Sequence, residues 1–273
     1  MPITIRRVTE SHELLAVYRQ RYEVYVEELK YPQAHADHEA KTIREPPDDS
    51  GHILAAFDEN GYLIGSVRNN YGCEGDLGEY VEWYQMRQFG DYFPRHLGIS
   101  TKLLVAPGHR VGTFMMRLCA ASFAYSLQQF GSVSWIGLID SKPPLDYYFR
   151  RLGYRQIAPP FCHTAAGEVI PLVIPVHDRE YLVRIKSPFA KALPEGPEHE
   201  SVRWFRETFA EELAQYKTAD SDASPRVQHR HFFSMTPRTF SHAVRRSLHP
   251  SVYLLPPVHF GSVPSPTPCL PFS

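Results

Sequence analysis

The sequence predicts an α/β chain of the α+β kind, a mixed β-sheet flanked by helices over residues 1–217 with a C-terminal extension at 218–273. Two observations carry this. Strand-like and helix-like apolar periodicities alternate as far as Lys217, and beyond it Pro, Ser, His and Arg dominate and periodicity fades. With 273 residues, 43% of them hydrophobic, the chain can bury one large core beside an appendage.

Leu14, Tyr18, Tyr22, Tyr25 and Leu29 recur every three or four positions, so Ser11 to Leu29 reads as an amphipathic helix, with Arg21 and Glu28 along the edge of its apolar face. The polar loop that follows carries Asp37, Glu39, Glu45, Asp48 and Asp49 and is broken by Pro46 and Pro47. His52 to Phe57 and Tyr62 to Arg68 are apolar runs separated by Asp58-Glu-Asn-Gly61, the pattern of a β-hairpin that sets Arg68 on a strand. Leu103 to Val105 closes another strand. It leads through Ala106 to Thr113, a turn with Gly108 and Gly112, into a helix carrying Phe114, Leu118 and Tyr125. A helix start after such a turn offers unpaired N–H groups to an anion, and Arg110 adds a charge. Ser132 to Ile139 reads as a strand, and Pro144 to Tyr154 as a short helix that Gly153 ends in the left-handed region. Val202, Phe205, Phe209 and Leu213 share one face of a helix from Glu198 to Tyr216. The prolines of Thr218 to Ser273 prevent a continued helix, and this tail is expected to be disordered.

A formal net charge of −1 without a long basic run argues against nucleic acid or an anionic membrane as partner. No apolar run is long enough to span a bilayer, so no transmembrane segment is expected, and Met1 to Arg6 lacks a secretory pattern; the expected compartment is cytoplasmic. Cys73, Cys119, Cys162 and Cys269 have neither CxxC nor disulfide-framework spacing. Cys119 reads as a buried helix residue, and Cys162 beside His163 as a candidate reactive thiol. The histidines of the tail match no standard metal spacing, and no metal is expected. The carboxylates before the hairpin, with Arg68 on a rigid strand, suit the positioning of a polar substrate or a proton acceptor. A solvated acidic loop beside a structural ion pair is the competing reading.

In order of elements the chain resembles the GNAT superfamily of N-acyltransferases, and in its N-terminal block the branch of acyl-homoserine-lactone synthases, N-acyl amino acid synthases and exosortase-associated acyltransferases. The resemblance covers about Ile3 to Phe189. It rests on Arg21-Tyr-Glu-Val-Tyr-Val-Glu-Glu28, Glu45-x-x-Asp48-Asp49, Gly65-Ser-Val-Arg68, Ser134 to Ile139, Leu145 to Gly153, and His177 to Leu182. It implies that the strands Ile99 to Val105 and Ser132 to Ile139 splay to admit a pantetheine arm, where a freed backbone N–H polarises the thioester carbonyl. It further implies that Glu45, Asp48 and Asp49 bind and orient an amine, with Arg68 and Arg21 fixing their geometry, and that Tyr148 or Tyr147 protonates the leaving thiolate. Arg110, Gly112 and Thr113 become the donor-binding positions, and Arg21, Tyr25, Lys102 and Trp135 substrate positions.

The expected activity is transfer of a fatty-acyl group from an acyl carrier protein or acyl-CoA co-substrate, with no tightly bound cofactor, to a small amine, an amino acid. The alternatives are acyl-homoserine-lactone synthesis from S-adenosylmethionine and a catalytically inactive binding module. Two departures from the superfamily pattern stand out. Phe114 occupies a position where a small residue admits a pyrophosphate, which favours carrier protein over CoA, and Ser100-Thr-Lys102 stands where a Glu/Ser-x-Arg pattern is expected, keeping a cation at Lys102 but not the usual carboxylate. Arg110, Arg150 and Arg151 are expected to meet the carrier's acidic surface. Tyr18, Tyr22, Tyr25, Phe57, Phe89, Tyr92, Phe93 and Trp135 offer apolar lining for a long acyl chain, with Trp83 to Phe93 as its cover.

Overall fold

The computed structural model describes residues 2–110, 113–131, 135–141, 145–163 and 167–216, with 135–141, 145–148, 162–163 and 167–168 described by their backbone. Among the described residues there are ten strands: β1 (Thr4–Arg7), β2 (Ala36–Asp37), β3 (Thr42–Ile43), β4 (His52–Phe57), β5 (Leu63–Tyr71), β6 (Leu97–Val105), β7 (Trp135–Ser141), β8 (Arg155–Gln156), β9 (Phe161–His163) and β10 (Gly167–Pro175). The helices are α1 (Ser11–Tyr22), α2 (Tyr80–Trp83), α3 (Phe114–Gln129), α4 (Leu145–Leu152), α5 (Arg179–Arg184), α6 (Glu200–Thr208) and α7 (Ala210–Gln215).

The main sheet runs β1-β4-β5-β6-β7-β10-β8, with β9 added to β10. Its pairs are antiparallel except β6 with β7, which are parallel and registered only at Leu97 with Trp135 and Gly98 with Ile136. Since both strands run the same way, they part after their first residues and open a cleft toward their C-terminal ends. The predicted hairpin is borne out as β4 and β5, with Ile53 opposite Arg68. A bulge interrupts the next pair: Ser66 faces Leu104 and Arg68 faces Thr101, so β6 holds one extra residue. Lys102 lies in that bulge at φ +53, a left-handed conformation uncommon for a side chain other than Gly, Asn or Asp.

The alternation of β5 side chains sorts the core. Val67 and Tyr71 face α3, joining Leu118, Phe123, Leu152, Leu172 and Ile174. Across the sheet, Leu97, Ile99, Val169 and Val173 pack under Tyr84, Phe89, Phe205 and Phe209 from the residue after α2, the Met86–Tyr92 turn, α6 and the residue before α7. Tyr22, Val24 and Tyr25 pack with Ile43 and Leu104 as a third cluster.

The predicted helix from Ser11 to Leu29 is α-helical only to Tyr22; Glu23–Glu28 continue it as a π-helix. Leu29 N–H donates to Val24 O at 3.0 Å, an i→i+5 bond that places Tyr25 inside while Arg21, one turn earlier, is also buried. The C-terminal helix is likewise divided, at Phe209 (φ −108, ψ 29), whose ring turns inward against Phe89 and Phe205. Gly153, at φ +115, ends α4 as expected. The tail lies outside the described residues.

Candidate active site

Glu45 to Asp48 fold locally because two prolines occupy the first positions of a 3₁₀ turn, where no donated hydrogen bond is needed. The turn closes on itself: Asp48 N–H donates to Glu45 O at 2.8 Å, and Glu45 N–H to the Asp48 carboxylate at 2.7 Å. β5 then clamps it from below through Asn70 Nδ2, which donates to Pro47 O at 2.7 Å.

The turn presses its carboxylates onto three cations that are each at most 1% exposed. Arg21 Nη1 meets the two Asp48 oxygens at 2.7 and 2.9 Å. Arg68 Nη1 reaches Glu45 at 3.0 Å and Asp48 at 3.1 Å, while its Nε donates to Thr101 Oγ1 at 3.0 Å. Lys102 Nζ, brought inward by the bulge, lies 2.7 Å from Glu45 Oε1 and 4.9 Å from the Tyr25 ring centroid. α1, the turn, β5 and β6 thus converge on one buried chain of charges.

Electrostatics follow from this packing. Burial works to raise the Asp48 carboxyl, but Arg21 and Arg68 outweigh it and bring it down to about 2. Burial also opposes ionisation of Glu45, where Lys102 and then Arg68 prevail and hold it below the ordinary carboxylate range. Burial lowers the Lys102 ammonium, with Glu45 opposing the shift. Three cations face two carboxylates, and Arg68 Nη2 and Arg21 Nε, both buried, have no hydrogen-bond partner among the described residues. A surplus of positive charge with unspent donors is suited to an anionic group.

Glu45, Asp48, Arg21, Arg68, Lys102 and Tyr25, singled out from the sequence, therefore come together. Asp49 does not. Its side chain is 69% exposed and pairs at 2.7 Å with Arg44, as the solvated-loop reading has it. Arg110 is engaged elsewhere, donating from Nε to Val105 O at 2.9 Å and from both terminal nitrogens to Glu28 at 2.5 and 2.7 Å. Thr113 precedes α3 without a side-chain capping bond. Gly112 and the side chains of Trp135 and Tyr148 lie outside the described residues, as do those of Cys162 and His163.

The Phe114 ring is buried against Gly65, where a Cβ would come within 3.0 Å of it, and lies edge-on to the His109 ring with centroids 6.2 Å apart. Three expectations need correction. Arg150 is buried and donates to Gln156 at 2.9 Å, leaving Arg151 as the exposed arginine of that pair. Tyr18 and Phe57 pack with Val17, Ile53 and Ala55 beneath α1, and the Arg21 guanidinium lies 5.3 Å from the Tyr18 ring centroid. The segment expected as cover is itself overlaid: the Trp204 ring lies tilted against Tyr92 with centroids 4.9 Å apart, and Phe209 against Phe89 at 5.4 Å.

Sequence reasoning also passed over Gly51. A Cβ there would lie 2.9 Å from Arg68 Cγ and Cδ and 2.8 Å from Pro47 O, so glycine lets Arg68 pass beneath the turn. A Gly beside an acidic Pro-Pro turn was the available signal. Cys119 lies in α3 as expected but is only partly buried against the main core. Among the described residues no group of His, Cys, Asp and Glu could hold a metal ion, and no helix is long and apolar enough to cross a membrane.

No protein-family model and no curated protein sequence matches the chain. Solved structures do. A CoA-dependent acyl-homoserine lactone synthase, BjaI, with MTA, matches with a TM-score of 0.54 at 15% identity, over 74% of this chain and 98% of that one. FeeM, an N-acyl amino acid synthase from uncultured soil microbes, matches with a TM-score of 0.51 at 16% identity, over 71% and 99%. TofI in a ternary complex with an inhibitor and MTA gives a TM-score of 0.51 at 18% identity, over 70% and 99%. The chain shares the fold of these lactone and N-acyl amino acid synthases.

Proposed function

We propose that the chain is an N-acyltransferase that moves a fatty-acyl group from an acyl carrier protein or acyl-CoA thioester to the amine of a small acceptor, an amino acid. The observation that carries this is the buried Arg21–Asp48–Arg68–Glu45–Lys102 chain, which ends in the bulge of β6 beside the opening between β6 and β7. A bulged residue leaves a backbone N–H outside the ladder. Such a donor, on the strand that borders a pantetheine arm, would stabilise the oxyanion formed when the amine attacks the thioester. The surplus cation and the unspent Arg68 and Arg21 nitrogens match the carboxylate of an amino acid. Tyr148 on α4 is the candidate donor of a proton to the leaving thiolate. No cofactor beyond the acyl thioester is required.

Acyl-homoserine-lactone synthesis is the second reading, favoured by the acyl-homoserine lactone synthase among the structural neighbours. Mass spectrometry of lipid extracts from cells expressing the chain separates the two, with Arg68→Lys as control. A new N-acyl amino acid absent from the control supports the first reading and an acyl lactone the second. No new acylated amine in either extract refutes both.

A further inference from the structure

Around the charge network, two buried donors, Arg21 Nε and Arg68 Nη2, and one buried amide acceptor, Asn70 Oδ1, have no hydrogen-bond partner among the described residues. The donors are matched above to a carboxylate. The acceptor is not yet accounted for. An amide oxygen 2% exposed as part of its residue has given up water, and only a bound donor would restore its hydrogen bond.

Asn70 belongs to the site by contact. On β5 the side chains of Ser66, Arg68 and Asn70 share the face turned to α1 and the Glu45–Asp48 turn, where Ser66 donates to Gln20 at 3.3 Å and Arg68 to Glu45 and Asp48. Asn70 Nδ2 donates to Pro47 O at 2.7 Å and to Ser50 Oγ at 3.3 Å, so one turn holds both Arg68 and Asn70. Little separates the two side chains: a Cβ on Gly51 would touch Pro47 O at 2.8 Å and Arg68 Cδ at 2.9 Å at once. Asn70 also pairs in register with Ile99 of β6, the strand that borders the cleft and whose Thr101 accepts from Arg68 Nε.

The partners of the amide fix which way it points. Turned over, it would set Oδ1 against Pro47 O, acceptor on acceptor, so Nδ2 faces the turn and Oδ1 faces away from it. The carboxylates nearby are already engaged, Asp48 by Arg21 and Arg68, and Glu45 by Arg68 and by Lys102 at 2.7 Å. A neutral oxygen has a further property they lack. It can hold an N–H without favouring the protonated form of the nitrogen as strongly as a free carboxylate would.

We propose that Asn70 Oδ1 receives an N–H of the acceptor's α-amino group while Arg68 and Arg21 take its carboxylate, an assignment that rests on the acyltransferase reading above. Donors and an acceptor held by one turn fit the two ends of an α-amino acid. An amine without a carboxylate leaves the arginine nitrogens unpaired, and a carboxylate without an amine leaves Asn70 unpaired. A site built to hydrogen-bond a substrate group rejects the analogue that lacks it, so Asn70 is the residue that selects the amino group.

The test is thiol release by the full chain from dodecanoyl-CoA and from dodecanoyl acyl carrier protein with each of the twenty amino acids, for wild type, Asn70→Leu and Asn70→Asp. For the best acceptor, KM is compared with the inhibition constant of the analogue that carries hydrogen in place of the α-amino group. In Asn70→Leu the KM should rise about 10-fold or more, while the analogue's inhibition constant stays within about twofold. Asn70→Asp keeps an acceptor oxygen and loses the Nδ2 contact with the turn, and its KM should stay within about threefold of wild type. Both constants are read on the same folded molecules, so a loosened turn raises them together. Equal rises in the two constants, an unchanged KM in Asn70→Leu, or an Asn70→Asp chain as impaired as Asn70→Leu overturns the role of Asn70 and leaves the acyltransferase reading intact. Absence of acceptor-dependent thiol release from the wild-type chain with either donor overturns both.

Discussion

Asp48→Asn separates the buried charge network from an ordinary surface pair, because Asp49, the next residue, supplies the internal control. Asp48 is 8% exposed and accepts from two arginines and a backbone N–H, whereas the Asp49 carboxylate lies in water beside Arg44. Neutralising one partner of a buried pair leaves the other charge uncompensated, a loss of about 3–5 kcal/mol. Neutralising an exposed one costs about 0–1 kcal/mol. For a domain of this size each kcal/mol shifts Tm by about 2–4 °C, so Asp48→Asn should melt about 6–20 °C below wild type and Asp49→Asn within about 4 °C.

The sign of the pH dependence is also set. The Asp48 carboxyl falls from an ordinary 3.8 to about 2 on folding, so its contribution is present above pH 4 and is lost as pH falls toward 2. That shift corresponds to about 2 kcal/mol. The gap between wild type and Asp48→Asn, measured by urea unfolding, should therefore be flat from pH 5 to pH 7 and narrow by about that amount at pH 2. A variant as stable as wild type at pH 7, or a gap that widens in acid, would refute the reasoning.

Other perturbations have equally definite outcomes. Gly51→Ala should cost about 1–3 kcal/mol in urea unfolding, because its methyl meets Arg68 and Pro47 at under 3 Å. Lys102→Gly and Lys102→Met both remove the ammonium, but the glycine variant should be the more stable by about 1–2 kcal/mol, since φ +53 costs it nothing. Phe114→Ala should lose about 3–5 kcal/mol as a core truncation, with no gain in turnover with acetyl-CoA to suggest an opened loop. A chain ending at Tyr216 should keep its Tm, measured by calorimetry, because the sequence of 218–273 lacks the apolar periodicity to offset ordering it.

What the sequence made legible and what it hid differ in physical kind. Arg21, Tyr25 and Arg68 could be placed because helix and hairpin periodicities are local. The resemblance added Glu45, Asp48 and Lys102. The π-turn at Glu23–Glu28 was not legible, since it satisfies contacts of Tyr25 with Ile43 and Leu104 that are distant in sequence. Nor was the bulge at Lys102, which is a property of two strands in register. Phe205 and Phe209 were read as one face of a continuous helix, but the helix breaks at Phe209, whose ring, like that of Trp204, reaches Phe89 of the Met86–Tyr92 turn. Asp49 was read with Asp48 because adjacency in sequence says nothing about which side of a 3₁₀ turn meets the core.

The charge chain also bears on how the molecule comes apart. Its members are contributed by four segments, α1, the Glu45–Asp48 turn, β5 and β6, and none can leave without exposing an arginine or a carboxylate to a half-dry interior. Partial detachment is therefore dearer than complete release, and the four should open as a single cooperative unit whose amides exchange only through global unfolding. The C-terminal helices are held differently. Arg206 of α6, 38% exposed, reaches Asp178 at 2.9 Å and Glu180 at 3.8 Å, and Phe205 and Phe209 pack into the apolar cluster beside them. In native-state hydrogen exchange, α6 and α7 should form a separate, earlier-opening layer. The cover over the cleft could then lift while the charged floor beneath it stays closed to water.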